Sequence, residues 1–262
     1  MRLTTFASGS SGNCALLSVN GVHILLDAGI SYRRIKENLA LSGLAPEALS
    51  AVLITHEHSD HICGLATLVK HCAAPICAPR TVANRLKAAI AGVEQCLRTV
   101  PVGEPFKLDG LCLRCFHTPH DTDESVGWRI EGGEGCFALA TDMGSITEEV
   151  RAGLSGAETV LIEANHDVDL LRFGPYPPAL KRRILSDHGH LSNENCGILA
   201  AHLADQGAKQ IVLGHLSREN NTPEKAFAAV KAALGERDTA LYVAPAAERL
   251  TLEWEKEHTC LV

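Results

Sequence analysis

The stretch His56-Glu57-His58-Ser59-Asp60-His61 puts four metal-capable side chains within six residues, at the end of an apolar run, Ala51-Val52-Leu53-Ile54-Thr55. A buried strand that delivers three imidazoles and a carboxylate to one loop gathers lone pairs that cannot all find hydrogen-bond donors. A cation is their natural partner. Imidazole nitrogen together with carboxylate oxygen suits zinc, manganese or iron, and is too rich in nitrogen for calcium or magnesium. Solvated histidines on a polar loop are the plain alternative, and the density of ligand types argues against it.

His-x-His-x-Asp-His after a strand resembles the signature of the metallo-β-lactamase-fold hydrolases. The resemblance implies an α/β fold, a four-layer αββα sandwich, and two closely spaced divalent transition-metal ions, zinc or manganese. By the same resemblance His56 and His58 hold one ion, and Asp60 with His61 the other. Later segments carry the remaining matches in order. In His117-Thr118-Pro119-His120-Asp121 the third ligand is His120. His117 competes for that position, but the His-Asp pair followed by Ser125-Val126-Gly127-Trp128 favours His120. Asp142, after the apolar strand Cys136 to Ala140, matches the residue bridging both ions, and His215, after Ile211-Val212-Leu213-Gly214, matches the last ligand. Asp27, closing the strand His23 to Leu26, matches an aspartate that supports the ligands from behind.

The elements that must position these residues are short apolar strands alternating with helical stretches such as Thr81 to Ala91 and Thr222 to Leu234, a layered α/β pattern. At 262 residues the chain can bury a large core, and no linker or repeat divides it, so residues 1–262 are expected to form a single domain. The ten cysteines are scattered through apolar segments and read as reduced core thiols of a cytoplasmic protein. Cys112-x-x-Cys115 lies in a strand-like run, where positions i and i+3 face opposite sides. There is no signal-like or 18-residue apolar run, and the tail Cys260-Leu261-Val262 is one residue short of a prenylation box. No membrane association is expected.

A second set of motifs narrows the substrate. Glu163-Ala164-Asn165-His166-Asp167 follows the strand Thr159 to Ile162, and Asp187-His188-Gly189-His190-Leu191-Ser192 follows the next helix. They resemble segments of phosphodiesterases of this fold, in which a glutamate orients a histidine beside the scissile phosphate. Glu163 and His190 would then form an acid relay, joined in catalysis by the ligand Asp60. The bland alternative makes His190 a cap for the helix beginning near Ser192. Together with Ala7-Ser8-Gly9-Ser10-Ser11-Gly12-Asn13 and His215-Leu-Ser-Arg-Glu-Asn, these segments resemble the YycJ/WalJ family, regarded as containing 5′-to-3′ exonucleases. The expected function is therefore metal-dependent phosphodiester hydrolysis of DNA from its 5′ end. A hydrolase of a small ester, thioester or lactam is the alternative, since it would use the same centre.

The net charge of −7 speaks against a surface that coats nucleic acid. Basic runs at Arg33-Arg34-x-Lys36 and Lys181-Arg182-Arg183 read first as solvated helix faces. With 4% Phe, Trp and Tyr, no aromatic stacking platform is evident. DNA ends are thus expected to be held mainly by their backbone, with Ser10, Ser11, His166, His188 and Arg218 as the candidates for contact. Only 72 residues separate Asp142 from His215, so the long insertion of the β-CASP nucleases is missing.

Overall fold

The computed structural model describes residues 1–133 and 135–254; the tail Cys260-Leu261-Val262 lies outside them. Among the described residues two seven-stranded sheets face each other. The first contains β1 (Arg2–Ala7), β2 (Cys14–Val19), β3 (Val22–Leu26), β4 (Ala51–Leu53), β5 (Ile76–Ala78) and β6 (Leu97–Thr99), with β14 (Leu250–Glu253) outside β1. The second runs from β7 (Phe106–Leu108) through β8 (Leu111–His117), β9 (Val126–Gly132), β10 (Gly135–Ala140), β11 (Thr159–Glu163) and β12 (Gln210–Gly214) to β13 (Ala240–Val243). Each sheet is antiparallel in one part and parallel in the other, β3 to β6 and β10 to β13 being the parallel runs.

Three apolar layers explain the order. Leu17, Ile24 and Leu53 of the first sheet meet Leu113, Trp128, Phe137 and Val212 of the second in the central core. The opposite face of the first sheet packs on α1 (Tyr32–Leu41), which follows the capping residue Ser31, on the short α2 (Ser59–Ile62) and α3 (Leu65–Leu68), and on α4 (Arg80–Ala89). The second sheet is covered by α5 (Glu148–Leu154), α8 (Asn193–Asp205) and α9 (Pro223–Leu234), its outer core drawing Ile162, Leu199, Leu213 and Val230 together, while α6 (Val168–Phe173) and α7 (Pro178–Ile184) lie between β11 and α8 in the chain. The result is the expected αββα sandwich. Strands buried on both faces read as continuous apolar runs, which is why β4, β10 and β12 stand out in the sequence. Cys115 is buried in β8 and Cys112 only half-buried, as alternation requires.

The strand carboxyl ends converge on one edge of the sandwich. In open parallel sheets that edge carries the ligand crevice, because chain reversals leave a gap there. Val126 N–H donates to the Thr55 carbonyl (3.1 Å), and the Trp128 indole donates to the Ile54 carbonyl (3.2 Å), so the two sheets are pinned together beside the loop that follows β4.

Candidate metal centre

Three of the polar residues at this edge sit where a strand stops. Asp27, Asp142 and His215 have φ values of 56°, 56° and 55°, in the left-handed region that costs a non-glycine residue conformational energy. The turn swings each side chain off its strand and toward the gap between the sheets. After β4 the chain reaches His56 and then breaks at His58, the residue preceding α2. That helix is a single turn, and it carries Asp60 and His61. The loop is held by Asn13 N–H on the Asp60 carbonyl and Ala28 N–H on the His61 carbonyl, each 2.8 Å. Gly29 is required beside it, since a Cβ there would lie 1.6 Å from the Asp60 carbonyl oxygen.

Two clusters result, with the buried Asp142 between them. His56, His58 and His120 bring ligand atoms within 4.8 Å of one another, and so do Asp60, His61 and His215. Asp142 Oδ2 lies 3.1 Å from His61 Nε2, and Oδ1 lies 3.6 Å from His120 Nε2 and 3.5 Å from His215 Nε2. Asp60 Oδ2 is 3.5 Å from His61 Nε2 and 3.3 Å from His215 Nε2.

The outer hydrogen bonds decide which lone pairs face inward. The Thr55 hydroxyl has one proton and gives it to Asp27, 3.0 Å from Oδ2, so it accepts from His56 Nδ1 at 3.1 Å. His61 Nδ1 donates to Asp27 Oδ2 at 2.8 Å, and His120 Nδ1 donates to the Gly189 carbonyl at 3.1 Å. In His56 and His120, whose burial favours the neutral ring, this leaves an unprotonated Nε2 toward the centre, and His61 presents its Nε2 there as well. His56 Nε2 and Asp142 Oδ2 are buried without a hydrogen-bond partner, and His120 Nε2 faces His58 Nδ1 at 3.3 Å. Orphaned acceptors of this kind are costly unless a cation satisfies them, so the donor set fits two nitrogen- and oxygen-preferring divalent ions.

Electrostatics agree. Burial opposes charge on His61 and His215, yet the Asp142 carboxylate, with Asp27 at His61 and Asp60 and Glu163 at His215, outweighs it and raises both, His215 to about 10. Burial pushes His56 and His120 down. Asp60 and Asp142 lie well below the ordinary carboxylate range, because neighbouring histidines overcome their burial. The pocket demands positive charge among its carboxylates, and ions would displace the protons that otherwise supply it.

Asp142, Glu163, His190 and His215 also fall within ligand distance of one another. Glu163, however, has its lone pairs engaged. Its Oε1 accepts from His190 Nδ1 (2.7 Å) and His215 Nδ1 (2.9 Å), and its Oε2 accepts from the backbone N–H of Met143 (2.9 Å) and Leu191 (3.3 Å). This group is a hydrogen-bond relay that orients two imidazoles. Gly144 makes it possible: a Cβ there would sit 2.3 Å from the Ser186 carbonyl oxygen, so only glycine lets the 186–190 loop approach Asp142. The cap of α8 is the Ser192 hydroxyl, which accepts from Asn195 N–H, and His190 is left to face solvent with 23% of its side chain exposed.

Two neighbouring clefts of about 190 Å³ each open at this edge. One is lined by His190, Asn165, Asp121, Arg183 and Tyr176, the other by Ser11, Arg218, Leu216 and Pro245, and Ser10 and Ser217 border both. Ser8 accepts from His215 N–H at 3.0 Å, which ties the Ser/Gly loop to the last ligand candidate.

The description "Beta-lactamase superfamily domain" matches residues 23–216. The exodeoxyribonuclease YycJ of Bacillus anthracis is 32% identical over 238 residues, which cover 90% of this chain and 90% of that protein. The exodeoxyribonuclease WalJ of Streptococcus pneumoniae serotype 2 (strain D39) is 35% identical over 240 residues, 90% of this chain and 89% of that one. The chain belongs to the YycJ/WalJ family. It is a metal-dependent hydrolase of the metallo-β-lactamase fold. Zn(2+)-bound PqqB from Methylobacterium extorquens superposes with a TM-score of 0.74 at 20% identity, covering 97% of this chain and all of that one, a likeness that speaks to the fold alone.

Within this YycJ/WalJ-family site the seven expected ligands, His56, His58, Asp60, His61, His120, Asp142 and His215, lie together, with Asp27 behind His61. His117 is exposed and pairs with Glu149 at 3.1 Å, away from the clusters. Ser10, Ser11 and Arg218 line the clefts, whereas His188 is exposed outside them and His166 is buried at 1% exposure with both ring nitrogens unpartnered. Three participants escaped the sequence. Asn13 Nδ2 lies 3.3 Å from Asp60 Oδ2 and 3.1 Å from His61 Nε2. Asp121 brings Oδ1 within 3.3 Å of His120 Nε2, while its other oxygen pairs with Arg183. Tyr176 lines the His190 cleft. Asn13 and Asp121 stand inside motifs, whereas Tyr176 lies in none.

Proposed function

We propose that this chain is a 5′-to-3′ exonuclease acting on DNA in the cytoplasm, as a single domain. The reading rests on His190, an imidazole that opens on a cleft beside the ligand cluster and is backed by a buried carboxylate. Such a group has a use where a leaving oxygen must be protonated, as in phosphodiester cleavage. The exodeoxyribonuclease names of relatives matching nine-tenths of the chain support the polymer. Buried thiols at Cys77, Cys115, Cys136 and Cys196 suit a reducing compartment.

His56, His58 and His120 would hold one divalent ion and Asp60, His61 and His215 the other, with Asp142 between, and zinc or manganese suits that set. Bound there, such ions acidify water and neutralise phosphate charge. The remaining work belongs to the chain. Glu163 Oε1 holds the Nδ1 proton of His190, leaving Nε2 to carry the proton that the leaving oxygen receives, and the negative carboxylate favours the charged ring. Asn13 steadies Asp60. Ser10, Ser217 and Arg183 offer donors to the scissile phosphate, and Ser11 with Arg218 in the adjoining cleft would take the free 5′ end. The test is digestion of labelled linear strands blocked at either terminus, a closed circle, an RNA strand and a lactam. A blocked 5′ end or a circle should stop digestion and a blocked 3′ end should not. Efficient cutting of the circle, or turnover of the lactam alone, would overturn the reading.

A further inference from the structure

Tyr176 stands in the connection between α6 and α7, Gly174-Pro175-Tyr176-Pro177, whose prolines fix their own φ and bias the preceding residues toward extended backbone. Lys181 Nζ ties the same connection down, donating to the carbonyl oxygens of Arg172 and Gly174 at 2.7 Å each. The tyrosine is therefore carried on a stiffened segment rather than a loose one, and its ring needs little ordering to receive a ligand.

The lining of the cleft that holds Tyr176 mixes two chemistries. Ser10, Asn165, Ser217 and Arg183, the last paired with Asp121, present donors, while Leu180 and Ile184 are apolar. At about 190 Å³ it is smaller than the roughly 300 Å³ at which sites for drug-sized ligands begin, so it suits one planar ring and not a length of strand. We propose that Tyr176 is the stacking platform for the nucleobase of the nucleotide being removed, its phosphate lying toward Arg183 and His190. This specificity role rests on the nuclease reading above. Stacking accepts every base because every base has a π-face, which is what an enzyme that must remove each nucleotide in turn requires.

The test is steady-state digestion of a labelled single strand by the metal-loaded wild type, Tyr176→Ala and Tyr176→Phe, each on a normal strand and on one whose terminal nucleotide is abasic. Loss of base stacking should raise KM of Tyr176→Ala on the normal strand by about 5- to 150-fold with little change in kcat, while Tyr176→Phe keeps the ring and stays close to wild type. On the abasic strand wild type and Tyr176→Ala should have the same KM. Quenching of a terminal 2-aminopurine on binding should weaken in Tyr176→Ala alone. An unchanged KM in Tyr176→Ala, or an equal loss on the abasic strand, overturns the platform while leaving the nuclease reading intact. A wild type that digests neither strand overturns the nuclease reading itself.

Discussion

Replacing Glu163 by glutamine removes one charge and keeps the shape, and the geometry makes the outcome calculable. Oε1 accepts from two imidazoles and Oε2 from two backbone N–H groups. An amide has a single acceptor oxygen. Turned one way its NH₂ meets the buried N–H groups of Met143 and Leu191, and turned the other it meets the Nδ1 protons of His190 and His215; two donors lose their acceptor, at about 1–3 kcal/mol each where buried, or up to roughly 6 kcal/mol together. That is a large share of the 5–15 kcal/mol that holds a typical fold together. The loss is felt at two places. His215 loses the partner that fixes its tautomer, for which a fall of about 10–100-fold in metal affinity is expected. His190 loses the carboxylate behind its proton, and kcat should drop by about 10² to 10⁴. His190→Ala separates the two effects, because it leaves the bond from His215 Nδ1 to Glu163 in place: it should lower turnover while keeping both ions. The assay pairs metal content by mass spectrometry under chelator competition with turnover of a labelled strand. Glu163→Gln that binds metal as tightly as wild type would refute the double role drawn for this carboxylate.

His58→Ala should lower metal content from about two ions per chain to about one and abolish hydrolysis, measured on the same preparation; undiminished hydrolysis by metal-free protein would sink the centre as the site of reaction. Gly29→Ala, which drives a Cβ to 1.6 Å from the Asp60 carbonyl oxygen, should displace α2 and cost more than the ~1–3 kcal/mol of ordinary overpacking, visible as a lowered Tm and as lost metal. His117→Ala, an exposed change, should stay within about twofold of wild type in kcat/KM, the spread set by a surface effect of ~0.5 kcal/mol. With few phosphate contacts the log-log salt slope of strand binding should be about −2 to −4, and Arg183→Ala should make it less steep by about 0.7 to 0.9; an unchanged slope would remove Arg183 from the phosphate.

The chemistry of the centre was legible because it is local. His56, His58, Asp60 and His61 are spaced to fall on either side of one break and one helical turn, and β10 and β12 are apolar runs that end in a lone Asp142 or His215 at a predictable edge. A doubly buried strand must look like that, whatever its partners. The resemblance anticipated Asp27 as a support and Glu163 beside His190, but that Asp27 stands behind His61, Gly189 behind His120 and Glu163 also behind His215 was not legible, since tautomers are set by groups brought from elsewhere. The sequence separation between Asn13 and Asp60, or between Asp121 and Arg183, carries no signal of contact until two sheets stack and close approaches at Gly29 and Gly144 fold their loops together. His166 shows the converse, a motif neighbour that the same packing buries. Residue type and strand periodicity are properties of a segment, and they pointed to a layered α/β pattern and a metal-binding loop, to which the resemblance added the sandwich and the later ligand candidates. Orientation, burial and the walls of the clefts are properties of how segments meet, and only the tertiary structure decided them.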